Sequence, residues 1–280
     1  MEMLRRSFGC LALALLSTLA MAPWVSAAPS AGPAAPSLEE IQSRGTLVLL
    51  CFPHTESEFV RADLGRLQAT GQPLTELRDP SAFSGIDIDL ISAFAESLGV
   101  ELEIQPVVTS YSDLIPALLR GEGDLVASSF TITEARSKTA DFSRPYLSNW
   151  VVVGAKKGSG IRSVEDLAGL RVAVMRGSSQ LEFLRGLEIP GLEVVLTDYS
   201  LENLVALEEG RVDFVLVDSW AEPGEPLGRG SEGLVVAFRL RSFDYGVAVA
   251  PGSDLRQALD RFLEQATRSG QIARIVERYR

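Results

Sequence analysis

The sequence predicts an α/β protein built as two lobes, each a mainly parallel sheet flanked by helices. Three observations carry this. Short apolar runs alternate with amphipathic stretches of about ten residues from Gly85 onward, the pattern of strand–helix–strand units. A helix–Gly–Asp–strand unit occurs twice, once at Leu114–Asp124 and once at Leu204–Asp213. The chain has 280 residues, 46% of them hydrophobic, enough to build two cores.

The N-terminus reads as a cleavable leader over residues 1–27. Arg5 and Arg6 precede an apolar core at Leu11–Met21, and Val25-Ser26-Ala27 places small residues where a signal peptidase cuts. The apolar stretch is short for a membrane span and meets Pro23. Cys10 lies before the apolar core, which does not support a lipid anchor there; removal of the leader leaves Cys51 as the single thiol, unable to form an internal disulfide. Residues 28–36, rich in Ala, Pro, Ser and Gly, read as a flexible lead-in. The formal net charge of −11 argues against nucleic acid or an anionic membrane as partner.

Ser37 with Glu40 forms a capping box for a short helix that Gly45 stops, and Thr46–Phe52 reads as a buried strand. Residues 54–84 show no clean period and are broken by Gly71, Pro73 and Pro80. A helix over Asp87–Leu98 ends at Gly99, and Val100–Val108 is a strand. A helix begins at Ser110 or Ser112 and runs to Arg120. Asp124–Ala127, Val151–Ala155 and Arg171–Met175 are further strands. Five residues beyond the aspartate of each repeated unit stand Ser129 and Asp218. Ligands of open α/β sheets bind beyond the carboxyl ends of strands, so these two polar groups are expected to face a shared cleft.

Three features could carry chemistry. Arg136 follows Thr133, a plausible N-cap, and a guanidinium beside hydroxyls and free amides makes a carboxylate trap; a surface ion pair with Glu134 or Asp141 is the plain alternative. Arg176-Gly177-Ser178-Ser179-Gln180 joins a strand to a helix, with Ser178 or Ser179 as cap, and lacks the lysine of a P-loop. Asp218, an anion at the end of an apolar strand, suits an ammonium group. A cationic trap in one lobe and an anionic one in the other match a zwitterion.

From Gly85 to the C-terminus the chain resembles the periplasmic solute-binding proteins of amino-acid ABC importers, family 3. The resemblance rests on Gly85-Ile86-Asp87-Ile88-Asp89-Leu90, Asp113–Leu118, Ser128–Arg136 followed by Asp141-Phe142-Ser143, Gly177-Ser178-Ser179, Val212–Asp218 and Tyr245–Val249, in the family's order. It implies the two-lobed type II periplasmic-binding-protein fold with a hinge crossed near Leu147–Trp150 and Ser242–Tyr245. One lobe would be residues 37–147 completed by 244–280, and the other residues 148–243. It further implies that Arg136 holds a ligand carboxylate with Ser129, Thr131, Ser178 and Ser179 around it. Asp218 would take the ammonium, and Phe52, Tyr111 and Met175 would line a side-chain pocket. The expected protein is a periplasmic monomer that takes an amino acid or analogue, needs no metal or cofactor, and hands the ligand to a membrane permease. Residues 53–84 depart from the family's short proline- and aromatic-containing turn, which leaves the ligand side chain open: Phe52, Tyr111 and Met175 favour an apolar or neutral one, Arg176 an acidic one.

Two other classes share the scaffold. A prephenate-type dehydratase needs a general acid, and His54 is the single histidine. No triad or nucleophile-elbow spacing accompanies it, and one histidine with one cysteine does not make an ordinary transition-metal site. A sensory module serving a receptor or a peptidoglycan-acting enzyme is the other.

Overall fold

The computed structural model describes residues 36–54, 57–228, 231 and 233–279. The leader at 1–27 and the lead-in as far as residue 35 lie outside the described residues.

The fold begins as the capping box dictates. Ser37 Oγ accepts the Glu40 N–H at 3.2 Å, and the Glu40 carboxylate accepts the Ser37 N–H at 2.7 Å. This starts α1 (Leu38–Arg44), and Gly45 in the left-handed conformation turns the chain into β1 (Thr46–Cys51). There follow β2 (Arg61–Ala62), α2 (Leu64–Thr70), β3 (Phe83–Ser84), α3 (Ile86–Leu98), β4 (Glu101–Pro106), α4 (Leu114–Leu119), β5 (Leu125–Val126), α5 (Glu134–Ser137) and β6 (Asp141–Phe142). Next come β7 (Leu147–Lys156), β8 (Arg171–Met175), α6 (Ser179–Arg185), β9 (Glu193–Thr197), α7 (Ser200–Glu208), β10 (Phe214–Ser219) and β11 (Leu234–Tyr245). The chain closes with β12 (Ala248–Val249), α8 (Leu255–Arg268) and α9 (Gln271–Glu277).

Two five-stranded sheets result, in the orders β4-β1-β5-β12-β6 and β11-β7-β10-β8-β9. Within these two sheets the parallel pairs are those of β4-β1-β5 and of β10-β8-β9, the strands fed by helical crossovers. The strands next to the two passages between sheets pair antiparallel, β12 with β5 and β6, and β7 with β10 and β11. The chain passes from the first sheet to the second between Phe142 and Leu147, and returns between Tyr245 and Ala248.

The repeated helix–Gly–Asp–strand unit has one structural job in both places. Asp124 Oδ2 accepts the Val48 N–H of β1 at 2.7 Å and an Arg44 guanidinium N–H at 2.5 Å. Asp213 Oδ2 accepts the Arg171 N–H of β8 at 2.8 Å, and its carboxylate binds the Arg171 guanidinium at 2.8 and 3.0 Å. Each aspartate thus pins its own strand to the start of the neighbouring one. A charge-assisted bond of this kind contributes about 1.5–3 kcal/mol.

Residues 57–84 fold onto the first lobe. Phe59, Val60, Ala62, Leu77, Ala82 and Phe83 are buried in its core. The β2–β3 ribbon brings residues 58–59 against the start of α3, where Ile86 N–H donates to the Glu58 carbonyl at 2.8 Å and Asp87 N–H to the Phe59 carbonyl at 3.1 Å. Amides that a helix N-terminus would otherwise leave open are satisfied by backbone from this segment. Gly85, at φ 134°, is required there, because a Cβ would run into the Phe59 carbonyl.

The long strand β11 has no counterpart in the periodicity of the sequence. Register shifts between Val236 and Phe238 and between Arg239 and Arg241 break its alternation twice.

Candidate functional site

The Thr133 hydroxyl accepts the Arg136 N–H at 3.2 Å, capping α5 and placing Arg136 in its single turn. The part-buried guanidinium lies over the Phe130 ring at 4.1 Å and the Tyr111 ring at 5.4 Å. It donates to the Thr131 carbonyl at 2.9 Å and, from the other lobe, to the Gly177 carbonyl at 3.2 Å. Burial lowers its pKa from the ordinary arginine value. The surface pairs weighed for Arg136 do not form: Glu134 bonds Lys138, and Asp141 accepts the Gly252 N–H.

Thr131 also meets the second lobe through its hydroxyl, 2.9 Å from Ser179 Oγ with both groups buried. The lobes approach closely at Gly177: at φ 72°, a Cβ there would stand 2.8 Å from Ser112 Cβ. Ser178 is the N-cap of α6, its hydroxyl accepting the Leu181 N–H at 3.2 Å and donating to the Met175 carbonyl at 2.7 Å. Its hydroxyl is therefore engaged in building the turn, and Ser179 is the serine that reaches the other lobe. Arg176 turns to Asp198, 3.3 Å away on the exposed surface, so its charge is balanced there.

Asp218 lies near the end of β10, opposite Val151 of β7. Burial pushes its carboxyl up to about 6, against the opposing influence of Tyr245, Gln180 and the Arg136 charge. Tyr245, 1% exposed, lies beside it; burial first and then the Asp218 charge push its hydroxyl up, and that hydroxyl in turn draws the Asp218 carboxyl down. Among the described residues no ion pair joins Arg136 to Asp218.

Phe52, Tyr111 and Met175 share one apolar cluster with Phe130, and Met175 is the member that comes from the second sheet. The Phe52 ring is 5.9 Å from Tyr111 and 5.6 Å from Tyr199 of the second lobe. The Tyr111 hydroxyl donates to the Ser128 carbonyl at 2.8 Å, leaving its ring as the surface it offers. His54 packs edge-on to Phe52 at 5.2 Å, and burial lowers its pKa to about 4, so its ring is neutral at pH 7. Cys51 is buried and its thiol is pushed up by burial. Among the described residues no cluster of histidine, cysteine, aspartate and glutamate could hold a metal ion.

Ser129 has φ 45°, a left-handed backbone in a residue other than glycine. Its hydroxyl donates to the Ser128 carbonyl at 2.7 Å and its N–H to Asp87 at 2.6 Å. Sequence alone does not mark Asp87 as a site residue, because an acid in a helix's first turn reads as a partner of the helix dipole. The available signal was its place on the buried stripe of α3, with Leu90, Ile91 and Phe94 at the helical spacings that follow.

A profile of the family described as bacterial extracellular solute-binding proteins, family 3, matches residues 67–280. Membrane-bound lytic murein transglycosylase F of Stutzerimonas stutzeri (strain A1501) is 33% identical over 231 residues, covering 76% of this chain and 45% of that protein. The chain thus spans about half the length of the relatives of that kind it matches. The L-cystine-binding protein TcyJ of Escherichia coli (strain K12) is 26% identical over 245 residues, covering 86% of this chain and 85% of that protein. The crystal structure of the ancestral amino acid-binding protein AncCDT-1, a precursor of cyclohexadienyl dehydratase, matches with a TM-score of 0.72 at 29% identity, covering 86% of this chain and 98% of the other.

Proposed function

Because the chain belongs to the bacterial extracellular solute-binding proteins of family 3, we propose that it captures a free amino acid or related small zwitterion between its lobes in the periplasm and presents it to an ABC importer. The observation that carries this reading is the opposition of Arg136 and Asp218. Arg136 follows β5 of the first sheet and Asp218 lies on β10 of the second, each is influenced by the other's charge, and among the described residues no ion pair joins them.

Arg136 binds the ligand carboxylate, releasing one or both carbonyls it now holds. Thr131, Ser129 and Ser179 surround that end, and Ser178 fixes the turn that brings Ser179 in. Asp218 takes the ammonium, with Tyr245 beside it. Phe52, Tyr111 and Met175 meet the side chain, and with Arg176 drawn to Asp198 the pocket favours an apolar or neutral group. The moving bodies are residues 37–147 with 244–280, and residues 148–243. They close about the two passages, the hinge closure familiar from this class of protein.

Similarity to part of a murein transglycosylase supports a second use of the same clamp, as a sensor that reports the ligand to a peptidoglycan-acting enzyme. A dehydratase on this scaffold would need a general acid. His54, neutral and packed on Phe52, is poorly suited to that role.

A thermal-shift screen of the mature chain against the amino acids, L-cystine and prephenate tests the reading. Ligand binding to the folded state alone raises the melting temperature. A rise with an amino acid, lost in Arg136→Ala, supports capture. Consumption of prephenate would move the assignment to the enzyme, and no rise with any compound would overturn the zwitterion clamp.

A further inference from the structure

We infer that Asp87, the first acid of the Gly85–Leu90 motif, is a positioning residue that holds Ser129 in its left-handed turn and ties that turn to the passage between lobes; this rests on the zwitterion-binding reading above.

Asp87 is 0% exposed and flanked on α3 by buried Ile86 and Ile88, with Leu90 and Ile91 on the same stripe. An aliphatic residue would fill that stripe without the cost of burying a carboxylate. The two oxygens are divided between distant segments. Oδ2 accepts the Ser129 N–H at 2.6 Å, and Oδ1 accepts the Tyr146 hydroxyl at 2.5 Å. Asp89, two residues on, meets Tyr279 and Arg278 toward the surface, so the motif's acids have separate tasks.

The Ser129 bond controls the path to the clamp. A serine at φ 45° needs its surroundings to hold it there. The turn aims the Ser129 N–H inward at Asp87 and the Ser128 carbonyl at the Tyr111 hydroxyl, 2.8 Å away. Two residues later Thr131 presents its carbonyl to Arg136 and its hydroxyl to Ser179. On the other oxygen, Tyr146 immediately precedes β7, the strand that leaves the first lobe, and its N–H donates to the Tyr245 carbonyl at 3.0 Å. One carboxylate therefore joins the clamp's approach to the first passage.

The test is a double-mutant cycle of Asp87→Ala and Ser129→Gly, with Asp87→Asn as the conservative variant, read by melting temperature and by exchange of the Ser129 amide. Glycine adopts the left-handed turn without help. In the Ser129→Gly background, Asp87→Ala should lose less than half of the melting temperature it loses alone, and Asp87→Asn should restore most of the loss. The Ser129 amide should exchange at least ~100-fold more slowly than an open amide in the unsubstituted chain, and lose that protection in Asp87→Ala. Equal melting losses in both backgrounds, or fast Ser129 exchange in the unsubstituted chain, would overturn the assignment. If Asp87→Ala does not fold, the wild-type exchange rate still decides. The thermal shift given by an equimolar mixture of the amino acids and L-cystine is recorded alongside. Its reduction in Asp87→Ala supports the link to binding. No shift in the unsubstituted chain, with the cycle still coupled, would sink the zwitterion reading and leave the Ser129 contact standing.

Discussion

The Arg136 guanidinium of the first lobe bonds the Gly177 carbonyl of the second at 3.2 Å, while Ser112 Cβ bounds the space on the other side of the same glycine. A single turn thus gives the second lobe both an acceptor for the Arg136 cation and a surface small enough for the lobes to meet.

Replacing that cation should abolish capture. Arg136→Ala is expected to weaken binding at least ~100-fold, about 3 kcal/mol, and Arg136→Lys to recover only part of it, because a point charge does not reproduce the planar fork. Isothermal titration with the compound found by thermal shift measures both. Full affinity in Arg136→Ala would reject the carboxylate assignment.

Gly177→Ala should hinder closure while leaving each lobe intact. The added Cβ meets Ser112 of the other lobe, a clash that adds to the cost of about 1 kcal/mol for the positive φ of the turn itself. Small-angle scattering at saturating ligand should record a larger radius of gyration than the unsubstituted chain; an unchanged radius would mean that the lobes do not need this approach.

Asp218 sets two pH dependences of opposite sense. In the proposed function its ionised form is the partner of an ammonium, so affinity should be flat above pH 7 and fall up to tenfold per unit below about 6. For the free protein, a carboxyl raised on folding favours the folded state while neutral. That contribution is complete below the unfolded value of 3.8 and lost as pH rises through about 6. Asp218→Asn should therefore stabilise the free protein at pH 7.5 by about 1–3 kcal/mol, lose that advantage by pH 4, and bind poorly throughout. Denaturant unfolding at the two pH values checks the first part, and a gain that persists at pH 4 would contradict it.

The paired aspartates of the repeated unit should differ in weight. The Asp124 side chain is 3% exposed and that of Asp213 34%, though both hold a strand amide and an arginine. Asp124→Ala is expected to cost about 2–3 kcal/mol and Asp213→Ala about half of that, by denaturant unfolding. Equal losses would show that exposure does not screen the second pair.

Much of the architecture was legible because local chemistry and global fold agree. The Ser37–Glu40 box, the glycine stops at Gly45 and Gly99, and the two helix–Gly–Asp–strand units all form as their residues predict. The β11 strand was hidden by two bulges, which destroy the period that reveals strands. Residues 54–84 were unreadable for another reason: their strands are two residues long and their order comes from contacts with α3 and the core. Arg136 and Asp218 stand out in the sequence as a charge beside a helix cap and a charge at a strand end, and the clamp proposed for them starts from that signal. Asp87 does not stand out, because its partners lie 42 and 59 residues away.

The docking of residues 58–59 on α3 bears on any attempt to redesign this protein by exchange of parts. Trimming the segment to a short turn would strip the Ile86 and Asp87 amides of the Glu58 and Phe59 carbonyls, at the mouth of the helix that carries Asp87. A chimera would need to import a substitute pair of acceptors along with the shorter turn, and glycine would still be required at 85 wherever its φ of 134° is kept. Segment, glycine and helix form one unit, to be transplanted together or left in place.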